Sequence, residues 1–217
     1  MQPSIVTLPE QRADDAVEVL TAAFMPDPIF SFYFPEMPQR AQVFRAFFSD
    51  IIESHLQFGH VYAAMLNGAM VGAAVWRPPE VDEPTELDQE RATATERRIR
   101  EIDNDAAEAL FAGFAALEPG HPAEPHWYLF FTGIAPAWQG RGFGTTLLAP
   151  VLKLADEIQT VCYLETPFPQ THVFYRRLGY EITDSANPFV GAPTLWTMTR
   201  QPQVTQARAD RSDTLSK

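Results

Sequence analysis

The hydrophobic positions of this chain change period several times, and the order of those changes predicts its architecture. Residues 4–8 are a short strand-like run. Behind them Ala13, Ala16, Val17, Leu20 and Phe24 recur at the spacing of one helical face. Thr7-Leu8-Pro9-Glu10 has the capping-box pattern, with Pro9 suited to a first helical turn. Pro26-Asp27-Pro28 stops this helix, because a residue before proline is driven out of the helical region. Phe30, Phe32, Tyr33 and Phe34 then cluster in a loop or short helix, and residues 39–58 read as a long helix. Residues 60–66 and 70–76 are strand-like and meet at Asn67-Gly68, a hairpin signal. Residues 85–117 are polar and periodic enough for one or two helices.

After a breaker-rich loop at 119–125 come a strand at 127–134, a glycine-rich loop, a helix at 142–158, a strand at 161–166 and a helix at 170–178. Gly179 suits the end of that helix, and residues 180–183 and 194–199 read as final strands. Pro150 predicts a kink or break inside the helix at 142–158. No repeat and no linker between cores is visible. One domain is expected over residues 1–200, with a polar, disordered tail over 201–217.

A chain of 217 residues with 46% hydrophobic positions can bury a core of ordinary size. A net charge of −12 argues against nucleic acid or an anionic membrane as partner. No apolar run approaches the roughly 18 residues of a membrane helix, and the first residues lack the pattern of a secretory signal, so a cytoplasmic protein is expected. The single cysteine, Cys162, excludes an internal disulfide and suits a reducing compartment. His121 and His126 lack a third ligand at zinc spacing, so no metal is expected.

The candidate chemistry lies in Gln139-Gly140-Arg141-Gly142-Phe143-Gly144-Thr145, between a strand and a helix. Glycines let the backbone turn tightly and approach a ligand closely. The helix start leaves N–H groups unpaired at the positive end of a dipole, which suits a diphosphate, and Arg141 adds a fixed charge. A P-loop would need lysine before Thr145, where Gly144 stands. A dinucleotide site would need a different glycine spacing, early in the chain.

Residues 134–144, followed by Phe174-Tyr175-Arg176-Arg177-Leu178-Gly179-Tyr180, resemble the GNAT superfamily of N-acetyltransferases. With Val75-Trp76, Trp127, Leu164-Glu165-Thr166 and the ending at residues 195–200, the chain is most similar to the puromycin N-acetyltransferases within it. The resemblance implies an α/β fold whose mixed, mostly antiparallel central sheet is split between its middle strands and flanked by helices. It implies acetyl-CoA as the donor and direct attack by an amine on the thioester, with no acyl-enzyme. A small-molecule amine is the implied acceptor, with no nucleic acid or membrane partner; monomer or homodimer is left open. Two other readings remain: a non-catalytic acyl-CoA-binding module, and a protein or peptide amine acetyltransferase.

Residue by residue, the resemblance places Gln139, Gly140, Arg141, Gly142, Phe143, Gly144 and Thr145 on the cofactor pyrophosphate. Thr132, Gly133 and Ile134 match the strand edge that the pantetheine arm joins, with a bulge or close approach expected at Gly133 and the oxyanion donor at the Ile134 N–H. Tyr175 matches the general acid that protonates the leaving thiolate. Phe174, Thr171 and His172 are expected beside the cofactor; Thr171 stands where the puromycin type has asparagine, and Phe168 where many members do. Glu165, at a strand end, is a candidate base or a group binding the cationic acceptor. Asp27, Phe30 and Tyr33 are further acceptor-site candidates.

Overall fold

A computed structural model describes residues 2–81, 86–115, 121–187 and 191–203 of the protein. Most of the expected tail falls outside them. Among the described residues, seven strands form one sheet in the order β1-β2-β3-β4-β5-β7-β6. These are β1 (Ser4–Thr7), β2 (Val61–Leu66), β3 (Ala69–Arg77), β4 (His126–Ile134), β5 (Val161–Thr166), β6 (Tyr180–Ala186) and β7 (Leu195–Arg200). Asn67 and Gly68, at φ of 51° and 81°, make the hairpin turn between β2 and β3. All neighbours run antiparallel except β4 and β5, which are parallel and pair only from His126–Val161 to Tyr128–Tyr163. Beyond Tyr128 the two strands separate, so the mixed sheet is split at its middle.

The helices are α1 (Ala13–Phe24), α2 (Pro28–Tyr33), α3 (Met37–Leu56), α4 (Glu86–Ile102), α5 (Asn104–Ala115), α6 (Phe143–Ile158) and α7 (Pro169–Arg177). The segment at 85–117 therefore holds two helices, its outermost residues lying outside the described set. Two apolar clusters cover the sheet. One joins α1 to α5 through a phenylalanine network, and the other joins α6 and α7 to β2–β5. No helix among the described residues is long and apolar enough to cross a membrane.

Two expectations need correction. The capping box does not form: Pro9 precedes a 3₁₀ turn, Glu10–Arg12, with no side-chain cap. Pro150 does not break α6, which runs unbroken from Phe143 to Ile158. Its face of Phe143, Leu147, Leu148, Val151, Leu152 and Ala155 is buried on the sheet, and that packing outweighs one missing hydrogen bond.

Of the two alternatives at Gly133 in β4, a bulge or a close approach, the second holds. Gly133 pairs regularly with Ala73, and the bulge lies at Phe130, because Val75 faces Phe131 while Trp76 faces Leu129. An extra residue shifts the alternation, so Phe130 and Phe131 both pack toward the phenylalanine network while Leu129 packs toward α6. Gly133 instead permits close approach of α1: a Cβ there would stand 2.7 Å from the Ala23 Cβ and 3.2 Å from Leu20 Cδ2. The Ala23 methyl is fixed to its backbone and cannot swing aside. Gly133→Ala is expected to cost about 1–3 kcal/mol through overpacking, a drop of roughly 2–4 °C in Tm for each kcal/mol, read by thermal melting. An unchanged Tm would show that α1 is not held by this contact.

Candidate active site

The glycine loop is built on two left-handed residues, Gly140 at φ 74° and Gly142 at φ 80°, which a side chain would strain. Gly142 starts α6 with no side-chain cap. Thr146 makes the first backbone bond of the helix, to the Gly142 oxygen at 3.4 Å. The amides of Phe143, Gly144 and Thr145 precede it and point out of the helix end. Phe174 flanks them, its ring 3.1 Å from where a Gly144 Cβ would sit. Arg141 lies at the rim, its guanidinium 4.9 Å over the Trp138 ring and Nη2 3.4 Å from the Ala137 oxygen.

The strand edge leads away from this loop. Ala135 N–H donates to Val71 O at 2.9 Å, toward β3. Antiparallel alternation turns Gly133 the same way, and it turns the backbone groups of Ile134 and Thr132 toward the gap beside β5. The Gln139 amide donates to the outward Ile134 oxygen at 2.9 Å, which fixes the end of this edge.

One cavity of about 830 Å³ joins these parts. Its lining runs from Gly140 and Gly142–Thr145, along Thr132–Ile134, past Tyr175 and Glu165, to a chamber walled by Phe24, Phe30, Tyr33 and Phe114. The fork between β4 and β5 makes this continuity possible.

Tyr175 is buried between Phe174 and Tyr180, with ring centroids at 5.0 and 5.7 Å. Its hydroxyl has no hydrogen bond among the described residues and lines the cavity. Burial holds its pKa well above the ordinary phenol value, so it keeps its proton. Glu165 is nearly buried, with Oε1 3.3 Å from His121 Nε2. The Tyr128 hydroxyl donates to the same carboxylate; burial first, then the Glu165 charge, raises the Tyr128 pKa. His126 leans on Tyr163 at 5.5 Å, and burial lowers its pKa.

Asp27 is 2% exposed and lines the same cavity. Its Oδ1 accepts the Phe30 N–H at 3.0 Å and so caps α2. Burial raises its pKa to about 6 against the lowering effect of these backbone bonds and Arg40. Phe30 packs edge-on against Phe44 at 4.6 Å, and Phe114 stacks on Phe47 at 5.6 Å. Burial pushes the Tyr33 phenol up to about 12.

Two sequence-predicted residues stand off the cavity lining, Arg141 at its rim and His172 against Trp196 at 4.7 Å. Thr171 reaches the lining but is engaged: its hydroxyl donates to Phe168 O at 2.7 Å and lies 2.8 Å from Thr166 Oγ1. Sequence reasoning missed Arg40, His121 and the α5 wall. Arg40 is buried and donates to the carbonyls of Met25, Phe34 and Pro35 and to Ser31 Oγ, which pins the segment carrying Asp27, Phe30 and Tyr33. Nothing local in the sequence separates Arg40 from a surface arginine; only closure of the 25–35 segment over it does.

The chain therefore combines a split sheet, an uncapped glycine-rich helix start and a free strand edge between them. Residues 77–180 match the Acetyltransferase (GNAT) family, and the chain belongs to the GNAT acetyltransferase superfamily. Solved structures share the fold at low identity. A Corynebacterium glutamicum protein described as histone acetyltransferase HPA2 and related acetyltransferase is 22% identical, at TM-score 0.65 over 94% of this chain and 99% of its own. The Drosophila melanogaster polyamine N-acetyltransferase, which forms N-acetylagmatine, is 16% identical at TM-score 0.64, over 91% and 99%. Arylalkylamine N-acetyltransferase 2 of Aedes aegypti is 15% identical at TM-score 0.59, over 92% and 99%.

The protein is thus an acetyl-CoA-dependent N-acetyltransferase of this family. The residues present fit the donor: unpaired amides at the start of α6 match its pyrophosphate, and the outward edge of β4 matches its amide-bearing arm.

Proposed function

We propose that residues 1–200 act as one domain that moves the acetyl group of acetyl-CoA to the primary amine of a small molecule, by direct attack. The observation that carries this reading is the single cavity running from the uncapped start of α6, along the free edge of β4, to Tyr175 and Glu165. The donor supplies an activated acetyl thioester. Amides from Gly140 to Thr145 hold its phosphates, and Thr132 and Ile134 pair with its arm. The arm must run the length of this edge. The reacting carbonyl therefore falls toward the bulge at Phe130, and we assign the oxyanion donor to that bulged backbone rather than to Ile134. Tyr175 gives its proton to the departing sulfur, and Glu165 takes one from the amine, with His121 beside it as an outlet toward solvent. Cys162 is fully buried, and burial raises its thiol to about 12, which suits an inert core residue and no acyl-enzyme. The likeness to puromycin N-acetyltransferases, together with a ring-walled cavity of about 830 Å³, supports a small acceptor over a protein one.

The test is a calorimetric titration with CoA, followed by thiol release from acetyl-CoA across a panel of amines. CoA binding with amine-dependent release is the expected result; release that no amine accelerates would overturn the reading. In the titration, Arg141→Ala is expected to weaken CoA binding several-fold at low salt, with the loss shrinking as salt rises, since a screened charge contact is removed. A loss of equal size at every ionic strength would remove Arg141 from this role.

A further inference from the structure

We infer that the acceptor is an amine carried on an aromatic or similarly bulky apolar body, seated in the phenylalanine-walled chamber, with Asp27 as the counter-ion that its single ammonium meets on binding, before Glu165 takes the proton and frees the nitrogen to attack. This rests on the acetyl-transfer reading and specifies its substrate class. The chamber wall is made of rings from four separate elements: Phe24 of α1, Phe30 and Tyr33 of α2, Phe114 of α5 and Phe130 of β4. Ring-to-ring contacts hold that wall open, with Phe30 6.3 Å from Phe114, and Phe24 5.5 Å from Phe131. Such a wall rewards an apolar occupant by the area it removes from water.

The charges decide how many ammonium groups it can take. Glu165 already faces His121 and Tyr128. Asp27, at 2% exposure, forms no ion pair among the described residues; the Arg40 charge acts on it only from farther away. A buried carboxylate left this way is costly unless a cation joins it. One cation of the protein's own, Arg177, already lines the cavity, and two more stand behind its wall: Arg40, whose charge reaches Asp27, and Arg77, whose guanidinium lies 5.3 Å over the Phe130 ring. One added ammonium is matched at Asp27. The second ammonium of a polyamine would meet like charge.

The experiment compares phenylethylamine, n-propylamine and spermidine as acceptors by thiol release, after CoA binding has been established. Phenylethylamine is expected to exceed both of the others at least tenfold in kcat/KM. Asp27→Asn keeps an oxygen for the Phe30 N–H, so α2 stays capped. It is expected to raise the KM for phenylethylamine at least tenfold with little change in kcat. Because ionising the buried Asp27 opposes folding above about pH 6, the same variant is expected to raise Tm at pH 8. A merely structural aspartate would lower it. Phe114→Ala, at a partly exposed ring, is expected to erase the preference over n-propylamine. A spermidine preference, or a preference that survives both variants, would overturn the inference while leaving acetyl transfer standing. Thiol release that no amine accelerates would overturn both.

Discussion

Tyr175→Phe is expected to lower kcat at least about a hundredfold, in line with loss of a general acid, while leaving the affinity for CoA within about twofold. The physical case is unusually clean. The ring is buried against Phe174 and Tyr180 and stays so in phenylalanine. The hydroxyl makes no hydrogen bond among the described residues, so removing it orphans no partner and should not lower Tm. Burial holds the phenol protonated far above neutral pH; it can donate to a departing thiolate but not act as a base. The checks are steady-state kinetics with acetyl-CoA and the best amine of the panel, calorimetry with CoA, and a melt. A variant with undiminished kcat would return Tyr175 to the core and leave the departing sulfur to solvent. A wild type that binds CoA but acetylates nothing would favour a binding module.

The largest expected effect on stability lies near the C-terminal end of α6. Asp156 of α6 receives both Nη1 and Nη2 of Arg200, at 2.7 and 2.8 Å, and also the Gln203 N–H at 2.7 Å. Arg200 further donates from Nε to the Leu178 oxygen at 2.8 Å. The pair therefore ties the end of β7 to α6 and to the turn after α7. With its side chain 4% exposed, Arg200 has no alternative counter-ion in water when Asp156 is removed. Asp156→Ala is expected to cost about 3 kcal/mol, the low end for breaking a buried pair, because the carboxylate keeps 18% exposure. For a chain of this size that is roughly 6–12 °C in Tm.

The pH dependence has a definite sign. Burial tends to raise the Asp156 pKa, but the Arg200 and Gln203 hydrogen bonds outweigh it and the net direction is downward. The stabilisation is therefore complete above the ordinary carboxylate range, near pH 4, and is lost as pH falls through the lowered folded value. Melts of wild type and variant should converge only in that acid window. Equal Tm values at pH 7 would show that the tie carries no stability.

Much of this was legible because it is local. A loop of Gly140, Gly142 and Gly144 before an apolar helix can do few things, and positive φ at the first two is what it does. The period of apolar residues gave the helices and strands nearly to their ends, and Asn67-Gly68 gave the hairpin. Local rules failed where packing overruled them: Pro150 inside an unbroken α6, and Thr7 in front of a turn it does not cap. The alternation of β4 could not be read correctly from the sequence either. Its one extra residue is visible only against the register of β3; it puts the bulge at Phe130 and leaves Gly133 the close approach to α1.

The chain by itself thus determined the glycine-rich turn with its two left-handed residues and the order of elements around it, since each depends on neighbours a few residues away. Tertiary structure alone decided where β4 and β5 part, that Asp27, Phe114 and Glu165 share one cavity, that Arg40 pins the segment at 25–35 and that His121 reaches Glu165. Those contacts join positions tens of residues apart. Their cause is the burial of two apolar faces on one split sheet, which no local periodicity encodes.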